Sequence, residues 1–287
     1  MSESDFELMA ASADYMSHPW TFVIPDMHGR PDALRLLLTD AGLIDADGKR
    51  KAERPKYQTT IVSIGDLLNA TQTDVNGDEE ILQLSRDWID VLVLGNHEAP
   101  YIFGESWGFS GYYDAPHLSS AYRALYREGK VVPSFLVGKT LLTHAGVHKY
   151  FDFDDAEEAH HEITDVWNRW SELNHNDWPE SWNFPSGVEM PKSQILEAVG
   201  SKRGGNMPFG GILWADFHEP KNKQFSQLFG HTPIKTGPVV TAWKGSDIVH
   251  TNIDCAAKKG MPPTGVWLNR YGVIEEFVTP RKVASVE

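Results

Sequence analysis

The hydrophobic positions of this chain come in short blocks, each cut off by polar residues. Trp20–Pro25 (WTFVIP) is an apolar run that ends abruptly in Asp26-Met27-His28-Gly29. Pro31–Gly42 has proline in its first turn, leucines at helical spacing and a terminal glycine, which predicts a helix. Gln58–Ile64 reads as a second strand and stops at Gly65-Asp66. A helix is expected around Asp78–Trp88. Asp90–Leu94 reads as a third strand and stops at Gly95-Asn96-His97-Glu98. Strand, loop and helix thus repeat, and short continuous apolar strands suit a sheet covered on both faces.

The alternation weakens further on. Ser119–Glu128 predicts a helix, and Val131–Val137 with Thr140–Thr143 predicts a hairpin around Gly138-Lys139 that ends in His144-Ala145-Gly146. Phe225–Phe229 runs into Gly230-His231-Thr232-Pro233. Asp247–Ile253, Gly265–Asn269 and Val273–Val278 follow as strands on short turns, so this half is expected to be antiparallel or mixed. Residues 151–208 interrupt the pattern. Asp155–Leu173 places Ile163, Val166, Trp167, Trp170 and Leu173 on one helical face. Asn174–Pro191 reads as an ordered loop, Ser193–Val199 as a short helix and Ser201–Phe209 as a glycine-rich turn. The organisation expected is a leader at 1–18 and a single domain at 19–287, with an inserted helical, tryptophan-rich cap at about 151–208.

Composition narrows the function. The 287 residues carry a net charge of −14, which excludes a uniformly basic surface for nucleic-acid backbones and a polybasic membrane patch. Much of that charge is local: residues 151–180 hold ten acids against one base, Arg169. His160 and His161 lie in this acidic run, where a solvated helix face is expected. The single cysteine, Cys255, excludes internal disulfides and a cysteine-rich zinc site. No window approaches 18 apolar residues, so no membrane helix is expected. The acidic N-terminus has neither signal-peptide nor presequence character, and the expected compartment is the cytoplasm.

The chemistry sits at the strand ends, where open α/β sheets hold their ligands. Asp26-x-His28, Gly65-Asp66, Gly95-Asn96-His97-Glu98, His144 and Gly230-His231 occur in order, each after an apolar strand. Carboxylate, amide and imidazole donors without thiolates suit borderline divalent ions such as Mn, Fe, Zn or Co. One carboxylate can bridge two ions, and two ions can activate a shared water and clamp a phosphoryl group.

These five motifs, in this order, resemble the calcineurin-like metallophosphoesterase superfamily. Within it the chain is most similar to the bacteriophage and bacterial protein phosphatase and diadenosine tetraphosphatase branch. The resemblance covers roughly 20–150 and 210–280. It implies a four-layer αββα sandwich with a dinuclear site at the sheet edge. It also implies Asp26 and His28 on the first metal, Asp66 as the bridge, and Asn96, His144 and His231 on the second. Mn is the leading metal, with Fe, Zn, Co or Ni as alternatives. His97 resembles the family's general acid. One histidine in Gly230-His231-Thr232-Pro233, where other branches have two, fits the phosphatase and tetraphosphatase branch.

Two departures stand out. The family's Asp-Arg-Gly continuation is absent, so the aspartate that orients the catalytic histidine is Asn69 here and the phosphate-clamping arginine is Ala70. Asn69 can still accept a hydrogen bond but gives the imidazolium no charge partner, so the expectation is either a weaker acid–base pair or a partner from elsewhere, with Glu98 as the candidate. Leu213-Trp214-Ala215-Asp216 resembles either Leu-Trp-Ala-Arg or Leu-Trp-Ser-Asp, and in the former a second phosphate arginine is missing. Arg30, Arg169 and Arg203 are the candidate replacements, Arg203 first. The function implied is hydrolysis of a phosphate ester or nucleotide phosphoanhydride by a hydroxide bridging two metals. Its substrate would be a small phosphorylated molecule, a nucleotide or a phosphoprotein, in the cytoplasm, or the host cytoplasm for a phage-encoded protein. The alternative is a non-catalytic binding scaffold on the same fold, although such degenerate members usually lose metal ligands and every expected ligand is present.

Overall fold

The runs that read as strands 1 to 3 pair side by side and parallel. They are β1 (Trp20–Ile24), β2 (Thr59–Ser63) and β3 (Val91–Val93) of a computed structural model. The structure describes residues 20–51, 59–68, 75–103, 116–172, 195–196, 198–205, 207–255 and 261–280. The expected leader, Asn69, the 174–191 loop and Ser193, Gln194 and Glu197 of the expected Ser193–Val199 helix lie outside these residues, and Ala198 and Val199 at that helix's end are not helical.

Between the strands run α1 (Pro31–Asp40) and α2 (Val75–Trp88), followed by α3 (Ala99–Phe103) and α4 (Pro116–Arg127). α1 begins on the proline the sequence marked. Proline at the first position gives up an amide that has no helical partner anyway. Alpha-helix α3 was not foreseen, because five residues are too few to show a period. Its residues are all buried directly behind Glu98.

The segment read as one strand over 131–137 is two. β4 (Val131–Val132) closes the first sheet beside β3, whereas β5 (Phe135–Val137) pairs with β6 (Thr140–Leu142) in a second sheet. Pro133 lies at the break. It cannot donate to a ladder, so the chain leaves one sheet there and enters the other. The remaining strands are β7 (Ser226–Phe229), β8 (Val239–Ala242), β9 (Val249–Asn252), β10 (Gly265–Asn269) and β11 (Ile274–Val278). β8 was also unforeseen. It is a largely exposed edge strand, with no buried stripe to betray it.

The first sheet runs β11-β10-β1-β2-β3-β4 and the second β5-β6-β7-β9-β8. β6, β7 and β9 are parallel while β8 is antiparallel, so the second sheet is mixed, as expected. Side-chain parity makes the layers. Phe22, Ile24, Ile61 and Leu92 belong to the core shared with Leu34, Leu38, Ile81 and Leu118 of the helices. Their neighbours Val23, Val62, Val91 and Val93 meet Leu142, Leu228 and Ile253 of the other sheet. Each strand therefore buries both faces, which is why its sequence lacks alternation. α5 (Ala156–Glu172) packs Ala159, Ile163, Val166 and Trp167 inward and covers β5 and β6 as the outer helical layer. Its acids Asp155, Glu157 and Asp165 are exposed, a solvated face. The result is a four-layer αββα sandwich. No helix among the described residues is long and apolar enough to cross a membrane.

His250 on β9 is 5% exposed, and its Nε2 lies 3.2 Å from the Phe225 carbonyl oxygen. Burial, helped by the charges of Lys221 and Lys223, pushes its pKa down to about 4 against the opposing pull of that carbonyl. Between roughly pH 6.5 and this value the unfolded chain binds the extra proton, so the stabilisation is present above that window and is lost as pH falls through it. A shift of this size corresponds to about 3 kcal/mol. His250→Gln is expected to flatten the fall in urea midpoint between pH 7 and pH 4.5. An unchanged slope would show that His250 is not the group responsible.

Candidate metal centre

Backbone bonds fix the loops at the carboxyl ends of the strands before any side chain is considered. After β1, the amides of Met27 and His28 both donate to the Asp66 carbonyl at 2.9 Å, and Gly29 N donates to Leu67 O. After β3, Glu98 reaches back to the β2 loop. Its Oε2 accepts from Asp66 N at 2.8 Å and its Oε1 from Leu68 N at 3.0 Å. The two sheets are joined here as well. His144 Nδ1 lies 2.9 Å from the Ile64 carbonyl, and His231 N donates to Asp26 Oδ2 at 3.0 Å.

The backbone is strained where these bonds converge. Among the described residues, three non-glycine residues have positive φ: His28 at 48°, Asp66 at 51° and His231 at 68°. The left-handed region disfavours residues with a Cβ, and such outliers collect at functional sites. Close approach explains the preceding glycines. A Cβ on Gly95 would lie 2.3 Å from Asp66 N, and one on Gly230 would lie 2.0 Å from Asp26 Oδ1. The glycine before Asn96 and the glycine before His231 are thus spacing devices.

On this frame the donor atoms fall into two groups that share Asp66. One is His28, Asp66 and His97, the other Asp66, His144 and His231, and within each group the donor atoms lie within 4.8 Å of one another. The Asp66 oxygens divide between them. Oδ2 faces His97 Nε2 at 3.7 Å and His28 Nε2 at 3.9 Å, while Oδ1 faces His144 Nε2 at 3.4 Å. Asn96 Oδ1 joins the second group, 2.9 Å from His144 Nε2. His144 Nδ1 faces a carbonyl and must carry the ring proton, which leaves Nε2 a lone pair facing Asn96 Oδ1, Asp66 Oδ1 and, at 3.1 Å, His231 Nδ1. Lone pairs facing lone pairs repel, and a cation between them resolves the repulsion.

Electrostatics agree. Burial raises the Asp66 carboxyl, but His144, His97, His28 and His231 together hold it below the usual range, so it is ionised. Burial keeps His144 and His231 neutral. Asp26 is pushed up by burial and then by the Asp254 and Asp66 carboxylates. Burial and the Asp66 charge raise Glu98 to about 8. Asp26 Oδ1 and His231 Nε2, both at the site, are among the buried atoms without a hydrogen-bond partner in the described residues. Unpaired buried acceptors beside an ionised carboxylate, with no thiolate, are a donor set that fits two divalent cations.

The structure therefore brings together Asp26, His28, Asp66, Asn96, His97, Glu98, His144 and His231. Both Glu98 oxygens are engaged by backbone amides of the β2 loop rather than by His97. Arg203 stands beside the second group. Its Nη2 donates to the hydroxyl of Thr232, the residue after His231. Arg30 pairs with Asp32 at 3.0 Å on the rim. Arg169 is exposed on α5 and turns its Nε to the Asp165 carbonyl of its own helix. Asn69 lies outside the described residues. Sequence reading missed Asp254, which is buried at the end of β9 and raises Asp26. The signal was there, because Ile253-Asp254 repeats the apolar strand and terminal acid of β1 and β2.

Solved structures include chains similar to this one in fold. The chain is similar to a cold-active protein-tyrosine phosphatase of a psychrophilic Shewanella species. The identity is 16%, over 92% of this chain and 80% of that one, and the TM-score is 0.51. A putative diadenosine tetraphosphatase matches at 15% identity, covering 92% of this chain and 95% of its own, with TM-score 0.47. A protein serine/threonine phosphatase from Saccharomyces cerevisiae matches at 12% identity, over 98% and 90%, with TM-score 0.43. No curated protein matches the sequence. The profile of the calcineurin-like phosphoesterases matches residues 20–235, most of the chain and every strand end that bears a donor. With that match and two donor groups sharing one carboxylate, the chain belongs to the calcineurin-like phosphoesterase family.

Proposed function

We propose that this protein is a dinuclear metal-dependent phosphoesterase. The observation that supports this most is Asp66, with one oxygen toward each donor group. Two divalent cations, when bound, supply the charge that activates a water and neutralises phosphoryl oxygens. Asp26 and His28 would hold the first ion, Asp66 would be shared, and Asn96, His144 and His231 would hold the second. Mn is the leading metal by the family resemblance, with Fe, Zn, Co or Ni as alternatives.

His97 is the general acid that protonates the leaving oxygen. Its amide is fixed on Asp66 Oδ1 at 3.0 Å and its ring stands edge-on to His28 at 4.8 Å between centroids, which aims it across the site. Glu98 holds the bridging residue in place rather than partnering the histidine. Arg203 binds the phosphoryl oxygens, with Arg30 on the rim as the second cation. Arg169 has no observation in its favour. The substrate is a phosphate ester or nucleotide phosphoanhydride, and the branch is that of the protein phosphatases and diadenosine tetraphosphatases.

Assay of the Mn-loaded protein on a phosphopeptide, diadenosine tetraphosphate, a cyclic nucleotide and bis-p-nitrophenyl phosphate tests the reading. Turnover of at least one, abolished by chelator and restored by Mn, is expected. No bound metal and no turnover on any of them would indicate a binding scaffold instead. His97→Ala is expected to lower kcat roughly 10²–10⁴-fold while metal content by mass spectrometry stays unchanged. Full activity in that variant would remove His97 from the acid role. Glu98→Gln replaces one of the two acceptors that clamp the β2 loop and is expected to weaken Mn affinity about 10–100-fold in a titration. Wild-type affinity would mean that the clamp does not orient Asp66.

A further inference from the structure

Asp216 stands where one of the two resembling family segments has an arginine, and its side chain points at another arginine. Its Oδ2 lies 3.2 Å from Arg203 Nε, and its Oδ1 accepts from His218 N at 2.9 Å, so both oxygens are oriented. The next residue, Phe217, donates its amide to Thr232 Oγ1 at 3.0 Å. Arg203 Nη2 donates to that same hydroxyl, which closes a ring of four residues: Asp216, Arg203, Thr232 and Phe217. Lys221 Nζ braces the ring from below, donating to the Asp216 carbonyl at 2.7 Å.

The turn that bears Arg203 is equally constrained. Ser201 N donates to Met207 O, Arg203 N and Gly205 N both donate to Gly200 O, and Gly211 N donates to Ala198 O. The guanidinium is therefore presented by a tied backbone and oriented by a carboxylate. Nη2 donates to Thr232, and Nε faces Asp216 Oδ2 at 3.2 Å as an ion pair without a hydrogen bond. The Arg203 charge reaches the donor atoms, since it contributes to the downward shift of both His144 and His231. An arginine held by Thr232, next to His231, and paired with Asp216 can still offer N–H groups to an oxyanion.

We infer that Asp216 and Thr232 are positioning residues that fix Arg203 as the phosphoryl-oxygen subsite of this protein, in place of the arginine absent from the 213–216 segment. The inference rests on the phosphoesterase reading for its substrate, but its geometry is tested by inorganic phosphate alone. Without Asp216 the guanidinium loses its orienting charge and is held by Thr232 alone.

The test is a double-mutant cycle on the Mn-loaded full chain. Phosphate affinity is measured by calorimetry, and KM and kcat are measured on p-nitrophenyl phosphate. Arg203→Ala and Asp216→Ala are each expected to weaken phosphate binding about tenfold and to lower kcat/KM by at least a similar factor, with KM carrying most of the loss in Asp216→Ala. The double variant is expected to be no worse than Arg203→Ala, because Asp216 acts only through Arg203. Asp216→Asn keeps the acceptors without the charge and is expected to fall between wild type and Asp216→Ala. It also serves as the probe if thermal melting shows that Asp216→Ala is unfolded. Wild-type phosphate affinity in a folded Asp216 variant, or losses that multiply in the double variant, would overturn the inference. A protein that turns over no ester yet shows this phosphate pattern overturns the phosphoesterase reading and supports the subsite.

Discussion

The Asp66 carboxylate is buried with four imidazoles in electrostatic reach, on a backbone bent to φ 51°. Neither condition is tolerable alone. An ionised carboxylate taken out of water needs compensating charge, and a non-glycine residue in the left-handed region needs neighbours that hold it there. The structure supplies the second requirement through hydrogen bonds. Glu98 takes the Asp66 amide, Met27 and His28 donate to its carbonyl, and His97 N donates to its side chain. The first requirement is left to whatever cations occupy the two donor groups. The loops after β1, β2 and β3 are arranged around this residue, and the glycines at 65, 95 and 230 are small because atoms of this network pass where a Cβ would sit.

The layers of the sandwich were legible because burial on both faces leaves an unmistakable trace, a short apolar run without alternation. The donor residues were legible for a related reason. Asp26, His28, Asp66, Asn96, His97, His144 and His231 each follow such a run within a few positions, so the strand announces the site. What escaped has physical causes. The 131–137 stretch is apolar but for Ser134, and hydrophobicity does not reveal that Pro133 hands the chain from one sheet to the other. β8 is an exposed edge, and α3 is shorter than two turns. The Arg203–Asp216 pairing joins two loops, and no local pattern encodes which arginine a loop carboxylate will meet. Glu98 was expected beside His97 because they are adjacent in sequence. Successive side chains diverge, and this one turned to amides of a different strand's loop.

The acidic character of the chain separates into two kinds. On α5 the carboxylates face water on the outer surface of the sandwich, where each is individually cheap and collectively sets the net charge. At the strand ends Asp26, Asp66, Glu98 and Asp254 are buried, and burial with the neighbouring carboxylates pushes Asp26 and Glu98 up while Asp66 stays ionised. The same residue types therefore do opposite things: one set keeps the surface solvated, and the other supplies buried oxygen atoms at one edge.

The bonds from His144 to Ile64 and from His231 to Asp26 cross from one sheet to the other. The donor groups therefore do not sit on a finished scaffold; they are a seam in it. Any ion held across that seam adds its binding free energy to the cohesion of the two sheets, so occupancy and sheet packing are linked functions. The linkage runs both ways. A change in the valine and leucine layer between the sheets, remote from every donor atom, alters the seam's spacing and hence the affinity for the ion.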